Sequence, residues 1–200
     1  NRARFTPDPT IVGSSNLITY SYTDSVTGCS NSISKTVTVN EVADVAFSEF
    51  DNEYCKNKQQ KNIIGLVNGF EGFGDFSGNG IQDETPGDGI ATVNPANLEV
   101  GDYTFTFQYT NQFGCTGSVD TSLTIHPIPT LSLGGLNQEK SYCQYKNAEP
   151  VILEGLHSGT GGVGKYFINN EELSANILDP AEYTGAINIR YEYTDENGCF

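Results

Sequence analysis

The sequence predicts an all-β chain built as a tandem array of two-layer sandwich repeats of about 86 residues. Three observations carry that expectation. A turn motif recurs at a fixed period, apolar and polar residues alternate strictly on both sides of each turn, and Gly, Asn, Asp and Pro clusters separate the short apolar runs.

The turn motif reads Y-T-D-S-V-T-G-C from Tyr22 to Cys29, Y-T-N-Q-F-G-C from Tyr109 to Cys115 and Y-T-D-E-N-G-C from Tyr193 to Cys199, so its cysteines stand 86 and 84 residues apart. A second landmark, Tyr54-Cys55 and Tyr142-Cys143, recurs after 88 residues. Two independent motifs therefore give one period.

Before the middle turn, Tyr103, Phe105, Phe107 and Tyr109 alternate with Thr104, Thr106 and Gln108, the period-2 pattern of a strand with one buried face. Ile18, Tyr20 and Tyr22 repeat the pattern in the first copy, and Ile187, Ile189, Tyr191 and Tyr193 in the third. After the turn, Val119, Leu123 and Ile125 take the same role, with Ile33, Val37 and Val39 lying 86 residues earlier. Each pair of runs reads as an antiparallel hairpin.

Upstream in the middle copy, short strands are expected around 45–50, 63–67, 73–77 and 91–93. Six or seven short strands without helical periodicity point to immunoglobulin-like sandwiches. Leu98, Gly101 and Tyr103 resemble the tyrosine-corner sequence before the penultimate strand of such folds, and with no Trp in the chain Phe and Tyr must fill the core. The expected domains are residues 1–40, the C-terminal part of a truncated repeat; 41–126, a complete repeat; and 127–200, a repeat truncated at its last hairpin. Pro127 and Pro129 predict a stiff joint.

Composition narrows the function. Lys plus Arg number 10 against 25 Asp plus Glu, a formal net charge of -15, so no basic footprint is available for nucleic acid. No apolar run approaches the roughly 20 residues that span a bilayer, so no membrane insertion is expected.

Five cysteines beside two histidines, with no C-x-x-C pair, read as disulfides in an oxidising compartment rather than as a zinc site. One scheme joins Cys55 to Cys115 and Cys143 to Cys199 within repeats, leaving Cys29 unpaired by truncation. Its rival joins Cys29 to Cys55 and Cys115 to Cys143 across boundaries and strands Cys199. Loop entropy favours neither, at about 4.3 against about 3.5 kcal/mol per bond. The intramodular scheme is preferred because a repeat emerging during synthesis gains most from a bond complete within itself.

Other motifs dissolve on inspection. Gly159 to Lys165 fits G-x-x-x-x-G-K, but Tyr166 replaces the Mg²⁺-binding hydroxyl and the repeat frame predicts a strand where a phosphate cradle needs a helix. Asp83, Glu84 and Asp88 form a weak Ca²⁺ candidate in an acidic loop; the spacing matches no EF-hand, and no other metal or cofactor is expected. His126 and His157 have no counterparts in the other repeats, and neither a G-x-S-x-G elbow nor an H-E-x-x-H is present, so no catalytic residue is expected.

Y-T-D-x-N-G-C followed by an alternating strand, F-S-G-N-G-I at Phe76 to Ile81 and V-G-D-Y-T-F at Val100 to Phe105 resemble the repeats of giant surface adhesins of gliding Bacteroidetes. Such repeats look like immunoglobulin-like or polycystic-kidney-disease-type modules of proteins exported by the type IX secretion system. The resemblance covers essentially the whole chain. It implies a non-catalytic, extracellular stretch on the outer surface of a Gram-negative cell, used in gliding motility or attachment. The implied partners are an extracellular surface or polysaccharide, the secretion machinery and other repeats of the same chain. The alternative is a set of accessory modules on a secreted polysaccharide or protein hydrolase. Asp24-Ser25-Val26 also looks like the Asp-Ser/Thr-apolar O-glycosylation acceptor of that phylum, which makes Ser25 a candidate site.

Overall fold

The computed structural model describes residues 2–67, 70–71, 74–137, 140–145 and 148–200. Within them the regular structure is strand, interrupted by three short 3-10 turns. Phe73, expected at the start of a strand, lies outside the described residues.

Strands β1 (Ser15–Thr23) and β2 (Ser30–Thr38) form an antiparallel hairpin in unbroken register, from Ser15 opposite Thr38 to Thr23 opposite Ser30. Next come β3 (Val45–Phe47), β4 (Glu53–Cys55), β5 (Lys61–Val67), β6 (Phe70–Glu71), β7 (Asp75–Gly78), β8 (Ile81–Gln82), β9 (Ile90–Val93), β10 (Gly101–Thr110) and β11 (Thr116–His126). They lie in two sheets, β4-β11-β10-β7 and β3-β5-β9-β8, with β6 on β5. The remaining strands are β12 (Leu131–Gly134), β13 (Val151–Ile152), β14 (Glu154–His157), β15 (Val163–Ile168), β16 (Glu171–Glu172), β17 (Ile177–Leu178) and β18 (Ile189–Thr194). Here β15 lies between β16 and β18, β12 pairs with β14, and β13 with β17. The chain is all-β, its strands gathered into several small sheets, as the alternation required.

By contact the chain forms two compact units: residues 1–50, 62–92 and 105–121, and residues 51–61, 93–104 and 122–200. In the first unit an aromatic cluster joins two sheets. Phe76 and Phe107 lie 4.9 Å apart, and Phe47 packs on them at 6.0 and 6.4 Å. Rings at such separations add attraction beyond the area they bury. Gly65 on β5 makes room for this cluster, since a Cβ there would fall 2.3 Å from the Phe107 ring.

The second unit has its own core of Leu153, Ile168 and Leu178, sealed by Leu133, Val151, Tyr166, Ile187 and others. The glycine device recurs there. Gly155 on β14 lies under Tyr191, where a Cβ would fall 2.2 Å from the ring, and its backbone N–H donates to the Tyr166 hydroxyl oxygen at 2.8 Å. A glycine inside a strand thus marks a close approach.

Geometry explains the recurring turn words. The backbone N–H of Asp24, Asn111 and Asp195 donates to the carbonyl of Cys29, Cys115 and Cys199 at 2.9, 3.0 and 3.0 Å, closing each turn. The same residue's side chain caps the turn from inside. Asn111 Oδ1 accepts from the N–H of Phe113 and Cys115, both at 3.0 Å, and Asp195 Oδ1 from Asn197 and Cys199 at 3.0 and 2.8 Å. In the first turn, one residue longer, Asp24 Oδ1 takes Val26 and Thr27 instead, at 2.9 and 2.8 Å. The glycine before each cysteine sits at φ of +72°, +80° and +76°, where a side chain would be strained. Asx and Gly are therefore the residues the turn requires.

Tyr103 donates its hydroxyl to the carbonyl of Glu99, four residues upstream, at 2.9 Å. This is the tyrosine corner its sequence suggested.

Candidate functional site

The feature with functional consequence is a covalent one. Cys55 and Cys199 form a disulfide across a sequence separation of 144 residues, with Cα atoms 5.5 Å apart. Cys55 ends β4, which runs parallel to β11 in the register Thr124 to Glu53, Ile125 to Tyr54 and His126 to Cys55. Cys199 ends the last turn and is fully buried, and Cys55 is nearly so.

Further contacts surround the bond. Asn57 Nδ2 donates to the Phe200 carbonyl at 3.1 Å, and the Lys58 ammonium stands 5.4 Å from the centre of the Phe200 ring. Lys56 N–H donates to the His126 carbonyl at 3.0 Å, which continues the β4–β11 pairing one residue past the cysteine. Closing so long a loop restricts the unfolded chain by about 5 kcal/mol on the chain-entropy account.

This pairing corrects both sequence schemes. Cys115 does not reach Cys55: it precedes Thr116 at the start of β11, whereas Cys55 lies beside His126 at the far end of that eleven-residue strand. At about 3.3 Å per residue the strand alone separates them by about 35 Å, against the roughly 7 Å limit for a bridge. Cys143 does not take Cys199, because the segment around Tyr142 and Cys143 forms no strand and leaves the thiol exposed. Cys29, Cys115 and Cys143 are free thiols in the structure, which also excludes the Cys29–Cys55 and Cys115–Cys143 bonds.

The tempting motifs resolve into local structure. Lys165 of the G-x-x-x-x-G-K run lies in β15, so no helix follows the glycines. A carboxylate fills the loop instead, with Thr160 Oγ1 donating to Glu196 at 2.7 Å. Asp83 accepts from the Phe76 N–H at 2.8 Å and Asp88 from the Ile90 N–H at 2.8 Å, so both carboxylates serve the backbone. Among the described residues no group of three or more His, Cys, Asp and Glu is placed to hold a metal ion.

His157 stacks on Tyr193 with ring centres 3.7 Å apart, and His126 lies 3.6 Å from the Glu53 carboxylate, beyond hydrogen-bond range. Burial first, and then the charges of Asp195 and Glu196, hold the Tyr193 hydroxyl above its ordinary pKa. It stays protonated and donates to the Gly161 carbonyl. Ser25 is exposed in the first turn.

One landmark escaped the sequence reading. The three 3-10 turns begin at Asp8-Pro9, Asn94-Pro95 and Asp179-Pro180, one repeat apart, and in each the Asx side chain accepts from the N–H two residues on. The signal was an Asx-Pro pair at the period already found, and proline at the first position of such a turn loses no needed hydrogen bond. A cleft of about 630 Å³ beside β18 is lined by apolar side chains such as Leu133, Leu178 and Ile187 and by polar ones, Asn137, Lys140 and Ser141.

The sequence matches no family model and no curated protein. Solved structures do align with the chain, two of them as follows. The fibronectin(III)-like modules of Clostridium thermocellum CbhA align at 13% identity over 78% of this chain and 87% of theirs, with a TM-score of 0.41. A Ca²⁺-stabilized adhesin that helps an Antarctic bacterium reach out and bind ice aligns at 15% identity over 91% of this chain and 46% of that one, with a TM-score of 0.28. No helix among the described residues is long and apolar enough to cross a membrane.

Proposed function

We propose that this chain is a non-catalytic, load-bearing stretch of an extracellular adhesin, organised as repeats over residues 1–40, 41–126 and 127–200. The observation that carries the reading is the recurrence of one structural kit at one period. The Asx-capped turn and the Asx-Pro 3-10 turn return three times, and a glycine under an aromatic ring twice, while the outward row does not return. Thr19, Thr106 and Arg190 occupy equivalent outward places with different chemistry. A scaffold keeps its core and turns and lets the outer face drift; a catalytic surface would need its reactive groups held fixed.

The disulfide supports placement outside the cytoplasm, because such bonds persist in oxidising surroundings. The strong negative charge suits a hydrated surface protein and disfavours nucleic acid. On this reading the protein belongs to the outer surface of a Gram-negative cell, is delivered by type IX secretion and contacts a polysaccharide or solid surface during attachment or gliding.

Antibody raised against the chain should label intact, unpermeabilised cells, and soluble chain added in excess should reduce their attachment to a polysaccharide-coated surface. Labelling only after lysis would remove the proposal.

A further inference from the structure

The position of the disulfide has a mechanical consequence. Tension applied to the two ends of a cross-linked chain follows the shortest covalent route, here from the N-terminal end to Cys55, across the sulfurs and out through Cys199. Residues 56–198 are then off the loaded backbone. They comprise β5 to β18, and with them the Leu153, Ile168 and Leu178 core and the Phe76 and Phe107 rings.

We propose that Cys55–Cys199 is a force shunt: it carries load past these residues and stores them as length that tension alone cannot release. The inference rests on the load-bearing reading above. Three observations support it. The bond separates 144 positions, so nearly three quarters of the chain is shielded by one link. Both sulfurs lie in residues that are 3% and 0% exposed, which denies a thiolate the access that exchange requires, whereas Cys143 is exposed. The bond also joins the opening cysteine of one repeat to the turn cysteine of the next. Cys143 and Cys115 occupy the same two positions, so the rule can be written for any consecutive pair of repeats.

Elements ahead of the bond stay under load. They include the β1–β2 hairpin, β3 against β5, and β4 against β11, whose parallel register ends at Cys55 itself. Tension should open these first, and extension should then stop at the cross-link.

The test is single-molecule stretching of the whole chain held by handles at its two ends, without and with the phosphine reductant TCEP. In the oxidised chain extension should end at about 200 Å, and reductant should add about 500 Å in one increment, from roughly 3.5 Å per residue of freed backbone. A double variant, Cys55→Ser with Cys199→Ser, should reach the full length of about 700 Å without reductant. Two separate increments of about 200 Å would mean intramodular bonds and would overturn the proposal, as would full extension of the oxidised wild-type chain. Failure of the adhesive role leaves these lengths unchanged, so the two readings fall separately.

Discussion

The first hairpin and the middle hairpin obey the same sequence grammar and meet different fates. In β1–β2, Ile18, Tyr20, Tyr22 and Ile33 are between 40% and 69% exposed, whereas in β10–β11 Phe105, Phe107, Leu123 and Ile125 are at most 1% exposed. Both keep the Asx-capped turn and a cross-strand polar pair on the outer face, Thr19 with Ser34 at 2.9 Å and Thr106 with Asp120 at 2.7 Å. Hairpin geometry is thus a local property of turn and alternation. Burial is conferred by other strands, such as β7, which pairs with β10 from Phe105 opposite Gly78 to Gln108 opposite Asp75.

That contrast can be broken most forcefully at its centre. Phe105→Ala should cost about 3–5 kcal/mol in chemical denaturation followed by tyrosine fluorescence, because it empties a fully buried site. Ile18→Ala, at the equivalent place in the first hairpin, should cost about 1 kcal/mol or less. Equal losses would mean that the first hairpin is covered in solution.

A smaller effect is expected from the glycines beneath the rings. Gly65→Ala and Gly155→Ala each push a methyl group into an aromatic ring and should each cost about 1–3 kcal/mol by overpacking. Heteronuclear NMR of the two variants should show the disturbance at Phe107 in one and Tyr191 in the other. Tolerance of both substitutions would remove the ring-over-glycine device from the account.

The smallest effect sharpens the comparison between the turns themselves. The Thr27 and Val26 N–H groups, with the Thr27 hydroxyl, hold the Asp24 pKa below its ordinary 3.8. A carboxylate with a depressed folded pKa stabilises the turn at pH above the unfolded value, and that contribution fades as pH falls through the folded value. The amide resonances of Val26 and Thr27 should therefore titrate below pH 3.8, while those of Phe113 and Cys115, bonded to the uncharged Asn111, should not. Asp24→Asn should abolish the titration and keep the turn.

Much of this was legible because its causes are local. Alternation at 103–109 gave β10, and the Y-T-D/N…G-C words gave the turns, since an Asx cap and a left-handed glycine are set within six residues. The glycines beneath the rings carried a faint signal, a Gly inside an apolar run at 63–67 and again at 153–156, that meant nothing until the partner ring was known. The Asx-Pro turns are just as local, each set by an Asx side chain that accepts from the N–H two residues on.

By itself the sequence determined the period, the strand and turn chemistry, the acidic surface and the inward rows, all consequences of neighbouring residues and side-chain alternation. Tertiary structure decided which cysteines meet. Register along β11 carries Cys55 to the end opposite Cys115 and leaves it beside the turn of Cys199. Pairing over 144 residues is a question of where strands end in space, and no count of cysteines or estimate of loop entropy contains that information.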